Sequence, residues 1–379
     1  MATAAITLDV PAFARISASR APQSAIGAFA GGALPTTVLS SCSARLLPFL
    51  SSRDVLPLRA TCAEARAAIA AHPFCDLATV VHGHLGPALL PPPPVAGEQQ
   101  QQQQQQRGAW RACFPRARGA NVQNARFGPS YSPHTRRAPV LDADLAHLAG
   151  VERLVMSGCE RVTDAGVAHL RGVRHLDVSR CPLLTDAAFA HLGGLQSLDM
   201  TLCAQPGITD AAFAHLRGLR ALAMGGCAQP TITSAAFAPL RGLQTLSMAW
   251  CSQPEIGDAA FAHLRGGGLR ALDVSFCTQP TITDAAFAQL EGLESLRACG
   301  CTQPSLTAAA LAPLDGALRA LDASFSPALC SDAALAPLVG LRSLLRMEGV
   351  RGPWGQRARP PPPPLAAPAL AFSGFLLTS

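Results

Sequence analysis

The chain has no lysine; all 30 of its basic residues are arginine. Coding bias toward Arg is the simplest account, and selection against lysine modification is the alternative. In either case a glycine-rich phosphate loop is excluded, because its chemistry needs a Lys at its end. The repeated part also has no G-x-S-x-G elbow and no H-E-x-x-H helix, so acyl transfer and zinc-assisted hydrolysis have no constellation to act through. The expectation is that the chain is not an enzyme and needs no cofactor. Aromatic residues make up only 5% of the 379 positions, against 49% hydrophobic. A core built from such a chain consists of many small and Leu-sized side chains. No run of 18 apolar residues occurs, so no transmembrane helix and no membrane partner are expected.

Charge is scarce as well, at 14% of residues, and it is unevenly spread. Residues 1–140 hold 13 Arg against 5 acids, residues 141–350 hold 14 Arg against 19 acids, and the remainder holds 3 Arg and no acid. A nucleic-acid binder places its basic patch on its ordered domain. Here the part with the regular pattern is the acidic part, so nucleic acid is an unlikely partner. The one hint in its favour is a run of Arg between residues 107 and 137 with Trp110 and Phe114 among them.

What is abundant is repetition. Residues 208–227 read ITDAAFAHLRGLRALAMGGC, and at Ile232 the phrase starts again as ITSAAFAPLRGLQTLSMAWC. A period near 24 residues, kept from about 141 to 349, marks an array. In the first half of the unit, Thr209 is a good N-cap and Asp210 suits the positive end of a helix dipole. Phe213 and Leu216 share one helix face, and Gly218 is expected to end the helix. The second half, Leu219-x-x-Leu222-x-Met224-x-x-Cys227, alternates as a short strand entering a tight corner. This pattern resembles a leucine-rich repeat, with Cys at the corner position. One unit cannot bury enough apolar surface to offset the entropy of ordering itself, so the units must stack. The expected fold is an α/β leucine-rich-repeat solenoid, a horseshoe with parallel strands on its concave face and short helices outside. Nine strand cores are expected, at Leu154, Leu176, Leu198, Leu222, Leu246, Leu272, Leu296, Leu321 and Leu344.

Seven of the 13 cysteines share the corner register: Cys159, Cys181, Cys203, Cys227, Cys251, Cys277 and Cys301. A shared register makes a buried ladder, and an odd total disfavours a disulfide framework. These are read as reduced thiols packed as small apolar groups. Histidine recurs at His147, His169, His191, His215 and His263, but Pro239 and Gln289 replace it in other units. No tetrahedral ligand spacing results, and no metal site is expected.

Ahead of the array, residues 34–75 carry the elements Leu34-Pro35, Leu46-Leu47, Phe49-Leu50, Arg53-Asp54-Val55-Leu56, Leu58-Arg59 and Cys62. The stretch resembles an F-box, with Ala65 where that family has Trp. Joined to cysteine-type repeats, it resembles the F-box/leucine-rich-repeat proteins. The resemblance implies a small all-α module whose Leu34, Pro35, Leu47, Leu50, Val55 and Leu58 hold the adaptor subunit, and through it the cullin, of an SCF-type ubiquitin ligase. The repeats would then hold an unknown protein substrate for degradation. A leucine-rich-repeat scaffold without a ubiquitin role is the alternative. Residues 1–33 read as a disordered leader, Arg- and Ser-containing with one acid, and so open to an organellar transit role. Otherwise a cytoplasmic or nuclear location is implied. Residues 76–140 read as a Pro/Gln/Arg-rich linker, with eight consecutive Gln at 99–106, and residues 351–379 as a Pro-rich disordered tail ending in an apolar stretch.

In the repeat frame, the side chains flanking each central Leu face outward on the strand side. Asp177 and Asp199 fall on neighbouring strands, and Asp273 and Asp322 bracket Arg297. One residue before the corner Cys stand Arg180, Leu202, Trp250, Phe276 and Phe325. Large aromatics at such a rim are hot-spot candidates, and the alternative is that they cover the loop beneath them. The expected partner contacts are therefore Asp177, Asp199, Trp250, Asp273, Phe276, Arg297, Asp322 and Phe325.

Overall fold

A computed structural model describes residues 63–74, 114–123, 139–266 and 268–345. Ten three-residue strands run through them: β1 Gly119–Asn121, β2 Arg153–Val155, β3 His175–Asp177, β4 Ser197–Asp199, β5 Ala221–Ala223, β6 Thr245–Ser247, β7 Ala271–Asp273, β8 Ser295–Arg297, β9 Ala320–Asp322 and β10 Ser343–Leu345. They form one all-parallel sheet in strict sequence order. The central residues pair across it, Leu176 with Leu198 and Leu222 with Leu246. From β2 to β9 the central residue is buried. This is the expected leucine-rich-repeat solenoid. No helix among the described residues is long and apolar enough to cross a membrane.

The helical side is more economical than the sequence suggests. Asp210–Phe213 is a single turn, capped at Ala214, so the helix ends before Gly218 is reached. Its N-cap Thr209 accepts from the Ala211 N–H. Each such Thr has a second role. Thr209 donates its N–H and its Oγ1–H to the two carboxylate oxygens of Asp186, one unit back, at 2.7 Å each. The same rung joins Thr163 to Asp142, Thr185 to Asp164, Thr233 to Asp210, Thr283 to Asp258 and Thr307 to Asp284. Asp in the first turn thus complements its own helix dipole and ties the next unit with charge-assisted bonds. One rung differs. Ser234 stands in place of Asp and Gly257 in place of Thr, and the Gly257 N–H donates to Ser234 Oγ at 3.1 Å. A Cβ at Gly257 would lie 2.7 Å from the Thr281 carbonyl oxygen, so Gly is required there.

The core lies between the layers. Phe189, Phe213, Phe237, Phe261 and Phe287 are fully buried in one column, beside the Leu columns. The corner cysteines do more than fill space. Each donates its thiol to a carbonyl of the preceding unit, Cys181 to Met156 O and Cys203 to Val178 O at 3.3 Å, and Cys251 to Met224 O at 3.0 Å. Burial pushes the Cys203 thiol up to about 11 and Cys251 up to about 12, so both stay protonated as donors need. Ser326, at the corner register of the next unit, performs the same task. Its hydroxyl donates to Ala298 O while it accepts from the Cys301 N–H.

The loops after the corner Cys carry a Gln-Pro pair in five successive units, at Gln205, Gln229, Gln253, Gln279 and Gln303, and the last four Gln side chains are buried. Gln205 Nε2 donates to Cys181 O at 2.9 Å. Among the described residues, neither amide atom of Gln229, Gln253, Gln279 or Gln303 has a protein hydrogen-bond partner. A buried amide without a partner loses its hydration for nothing, whereas a bonded one contributes. Gln253→Met should therefore stabilise the array by about 1 kcal/mol and Gln205→Met should destabilise it by about the same amount. Urea midpoints of the two variants, compared with the parent, check this; the same sign for both would contradict it.

Two expectations about the N-terminal end are corrected. The sheet has ten strands, because β1 lies inside the stretch read as linker and pairs Ala120 with Leu154. Phe114, Ala117, Ala120 and Val122 are all in the core. Residues 76–140 are therefore not wholly linker, and the array opens at β1 rather than at 141. Phe114 has no exposed surface, so it cannot offer a face to a nucleic-acid base. The helix Ala63–Ala71 and the residues after it, assigned above to the separate module, pack on this end. Ile69 and Phe74 join the core, the Phe74 ring meets Phe114 edge to face at 5.3 Å, and Phe74 O accepts from the Arg118 and Gly119 N–H groups. The start of the first strand and its apolar side are thereby covered. The adaptor-contact residues Leu34, Pro35, Leu47, Leu50, Val55 and Leu58, and the segments 1–33 and 351–379, lie outside the described residues.

Candidate protein-recognition surface

The outward strand face has two carboxylate clusters of different character. Asp177 and Asp199 are direct partners on β3 and β4. Asp177 Oδ1 accepts from the Ser179 N–H at 2.9 Å and from its hydroxyl at 2.6 Å. The Ser179 and Ser157 hydroxyls share a further bond of 2.8 Å. Asp199 Oδ1 accepts from the Thr201 N–H in the same way. Burial, reinforced by the charge of Asp199, pushes the Asp177 carboxyl up to about 7, and burial raises Asp199 as well. Beside them, burial together with Arg153 and Arg174 holds His175 below its usual range. The pair therefore holds its protons to higher pH than free aspartates do.

On β7 to β9 the acids are neutralised instead. Arg297 Nη1 lies 3.6 Å from Asp273 Oδ2, and Arg297 Nε lies 3.9 Å from Asp322 Oδ2. Asp273 and Asp322 also accept from the N–H two residues on, at Ser275 and Ser324. The structure thus joins Asp273, Arg297 and Asp322 into one ion-pair group. The D-x-S/T pairing shows that all four aspartates also fix the exit of their strands.

The third feature is a row at the residue before the corner. Arg180, Leu202, Trp250, Phe276 and Phe325 all hold φ between 56° and 63°, and at the same register Gly158, Gly226 and Gly300 hold φ between 64° and 70°. The backbone at this corner is left-handed in every unit from β2 to β9. That conformation suits Gly and strains a bulky L-residue by about 1 kcal/mol or more. Where Gly stands, it also makes room. A Cβ on Gly226 would come within 2.6 Å of Leu202 Cδ2, and one on Gly300 would strike the Phe276 ring. Large side chains here lean toward the next unit. Trp250 and Phe276 stack with centroids 4.1 Å apart and planes 13° apart, both half-buried, and Phe325 is 42% exposed. Gly satisfies this backbone in three units, so the backbone does not call for the aromatics in the others.

Of the residues expected at the surface, Asp177 with Asp199, Asp273 with Arg297 and Asp322, and Trp250 with Phe276 are brought into contact. Phe325 stands apart, two units beyond Phe276. The left-handed conformation of the row was missed from sequence, although Gly158, Gly226 and Gly300 at one register were a usable signal.

No family model matches the chain, and no curated protein matches it. Solved structures do. A chain of the TLR13–ssRNA13 complex matches with 19% identity and a TM-score of 0.43, over 62% of this chain and 33% of that one. A chain of the glycosylated Toll–Spatzle complex, of Drosophila development and innate immunity, matches with 16% identity and a TM-score of 0.44, over 62% and 35%. Internalin C2 of Listeria monocytogenes str. 4b F2365 matches with 21% identity and a TM-score of 0.41, over 55% and 84%. This chain spans about a third of the length of the first two matched chains.

Proposed function

We propose that the chain is a protein-recognition receptor that serves as the substrate-binding subunit of an SCF-type ubiquitin ligase. The observation that carries the recognition half is the strained row. Five bulky residues occupy left-handed backbone that glycine occupies without strain in three sister units, and strain of this kind concentrates at binding sites. The stacked Trp250–Phe276 pair is already rigid, so little side-chain entropy is lost when a partner covers it. The ligase half rests on the F-box resemblance of residues 34–75. In that role the repeats hold the substrate, the module holds the adaptor, and proximity to the charged ubiquitin carrier does the rest. No catalytic group is required of this chain.

A second reading has its own support. Ile69 and Phe74, within the F-box-like stretch, are built into the core of the array, as they would be in a scaffold whose N-terminal residues only close its end. Affinity purification separates the two. Adaptor and cullin should copurify with the parent chain and be lost from Leu50→Asp/Leu58→Asp, while a substrate bound to the array is retained. Trp250→Ala/Phe276→Ala should do the opposite, weakening substrate binding by about 30-fold or more, as hot-spot truncations do. A parent chain that brings down no adaptor leaves the scaffold reading.

A further inference from the structure

The two ends of the array are finished differently. At the first strand, Ile69, Phe74 and Phe114 close the core, and Phe74 O takes up the N–H groups of Arg118 and Gly119 at the start of β1. At the last strand nothing comparable stands among the described residues. β10 is the terminal strand of the sheet and all three of its residues are exposed. The registers that are buried in earlier units open here. The central-Leu column, at most 3% exposed from Leu154 to Leu321, reaches 42% at Leu344. The Phe column and the column of first leucines end in the half-exposed Leu335 and Leu341. Leu345 is 60% exposed and Val339 88%. This is the cross-section of a core, presented beside a strand edge that no described residue pairs, which is the arrangement that attracts another strand or apolar segment.

The geometry points to residues 369–377 of this same chain, ALAFSGFLL, as the occupant of that end. The stretch holds Leu370, Phe372, Phe375, Leu376 and Leu377 and no charge. It is joined to β10 by residues 346–368. At up to about 3.3 Å per residue, a tether of that length can span well beyond the roughly 10 Å between packed layers that it must cross. A tethered segment acts at an effective concentration in the millimolar range, which a second copy of the chain reaches only at comparable protein concentration. An apolar segment of the same molecule therefore outcompetes a second molecule for this face. The phenylalanines supply for the last unit what the Phe and Leu columns of a following unit would have supplied.

Hydrogen–deuterium exchange tests this on the full chain, with a chain ending at Pro368 and a full-length Phe372→Asp/Phe375→Asp variant beside it. In the parent, amides in residues 341–345 should exchange at least about tenfold more slowly than in either variant, independent of protein concentration. Both variants should also self-associate on light scattering, through the bared edge, while the parent stays monomeric. Equal exchange in parent and variants overturns the proposal. Protection in the parent that grows with protein concentration overturns it too, and assigns the face to a second copy. The proposal is independent of the ligase reading, since neither readout involves the adaptor or a substrate.

Discussion

Phe114→Ala should destabilise the folded array by about 3–5 kcal/mol, the usual cost of emptying a fully buried aromatic site. Phe114 is 0% exposed and meets Phe74 edge to face. Its loss removes the contact that seats residues 63–74 over β1. The effect should not stay local, because units of a solenoid are stabilised by their neighbours and a bared terminal strand frays inward. Urea denaturation should show the lower midpoint, and hydrogen exchange should show β1 and then β2 losing protection first. Phe74→Ala should reproduce the pattern from the other side of the contact. If residues 76–140 were linker throughout, Phe114→Ala would leave the midpoint unchanged, and that result would remove the tenth strand and its cap from the fold.

The second large effect concerns charge. Asp177→Asn should stabilise the array at pH 8 and flatten its dependence on pH. In the unfolded chain an Asp carboxyl titrates near 3.9, and in the folded chain Asp177 is pushed up to about 7 by burial and by Asp199. The folded state therefore binds more protons between about pH 4 and 7, and stability falls as pH rises through that window. The loss is roughly 2–4 kcal/mol, because each tenfold gain in proton affinity on folding is worth about 1.4 kcal/mol and the two carboxyls divide the gain between them. Asn retains the oxygen that accepts from the Ser179 N–H but carries no charge to desolvate, so the variant escapes most of the decline. Asp199 is raised by its own burial, so a weaker slope of the same sign should remain. Urea midpoints at pH 4.5, 6 and 8 for parent and variant give the answer; parallel pH profiles would show that the pair does not hold its protons to higher pH than free aspartates do.

The period, the N-cap Thr, the buried Leu columns and the Cys corner could be read from the chain because each depends on a side chain repeated in one register. β1 escaped because its frame is Ala117-x-x-Ala120-x-Val122. The spacing is the same as in every other unit, but small residues replace the leucines and arginines surround them. Its burial comes from Phe74 and Phe114, which come from outside the repeat. The surface was legible in part. Alternation placed Asp177, Asp199, Asp273, Arg297 and Asp322 on the outward face, and their pairing follows from strand register. Which acids would be neutralised followed less directly. Arg297 reaches both of its neighbours, whereas the middle of the sheet offers β4 only Ala221 and Ala223 on its far side. The left-handed row before the corner left only an indirect trace, in Gly158, Gly226 and Gly300 at the register that carries bulky residues in the other units.

The Thr–Asp rungs have a consequence for how such a chain can lengthen or shorten. Where Asp of one unit meets Thr of the next, any unit carrying both residues fits between any two others, and duplication or loss of a whole unit leaves every rung intact. Two boundaries are exceptions. Between Ala308 and Ser331 there is no carboxylate and, among the described residues, no rung. The other lies between Ser234 and Gly257. There the two units match only each other: Ser234 supplies a hydroxyl in place of a carboxylate, and Gly257 has no room for the Thr side chain that a carboxylate would require. A unit copied into that boundary would part a matched pair and leave both halves mismatched. The array is interchangeable along most of its length and fixed in sequence at that one joint.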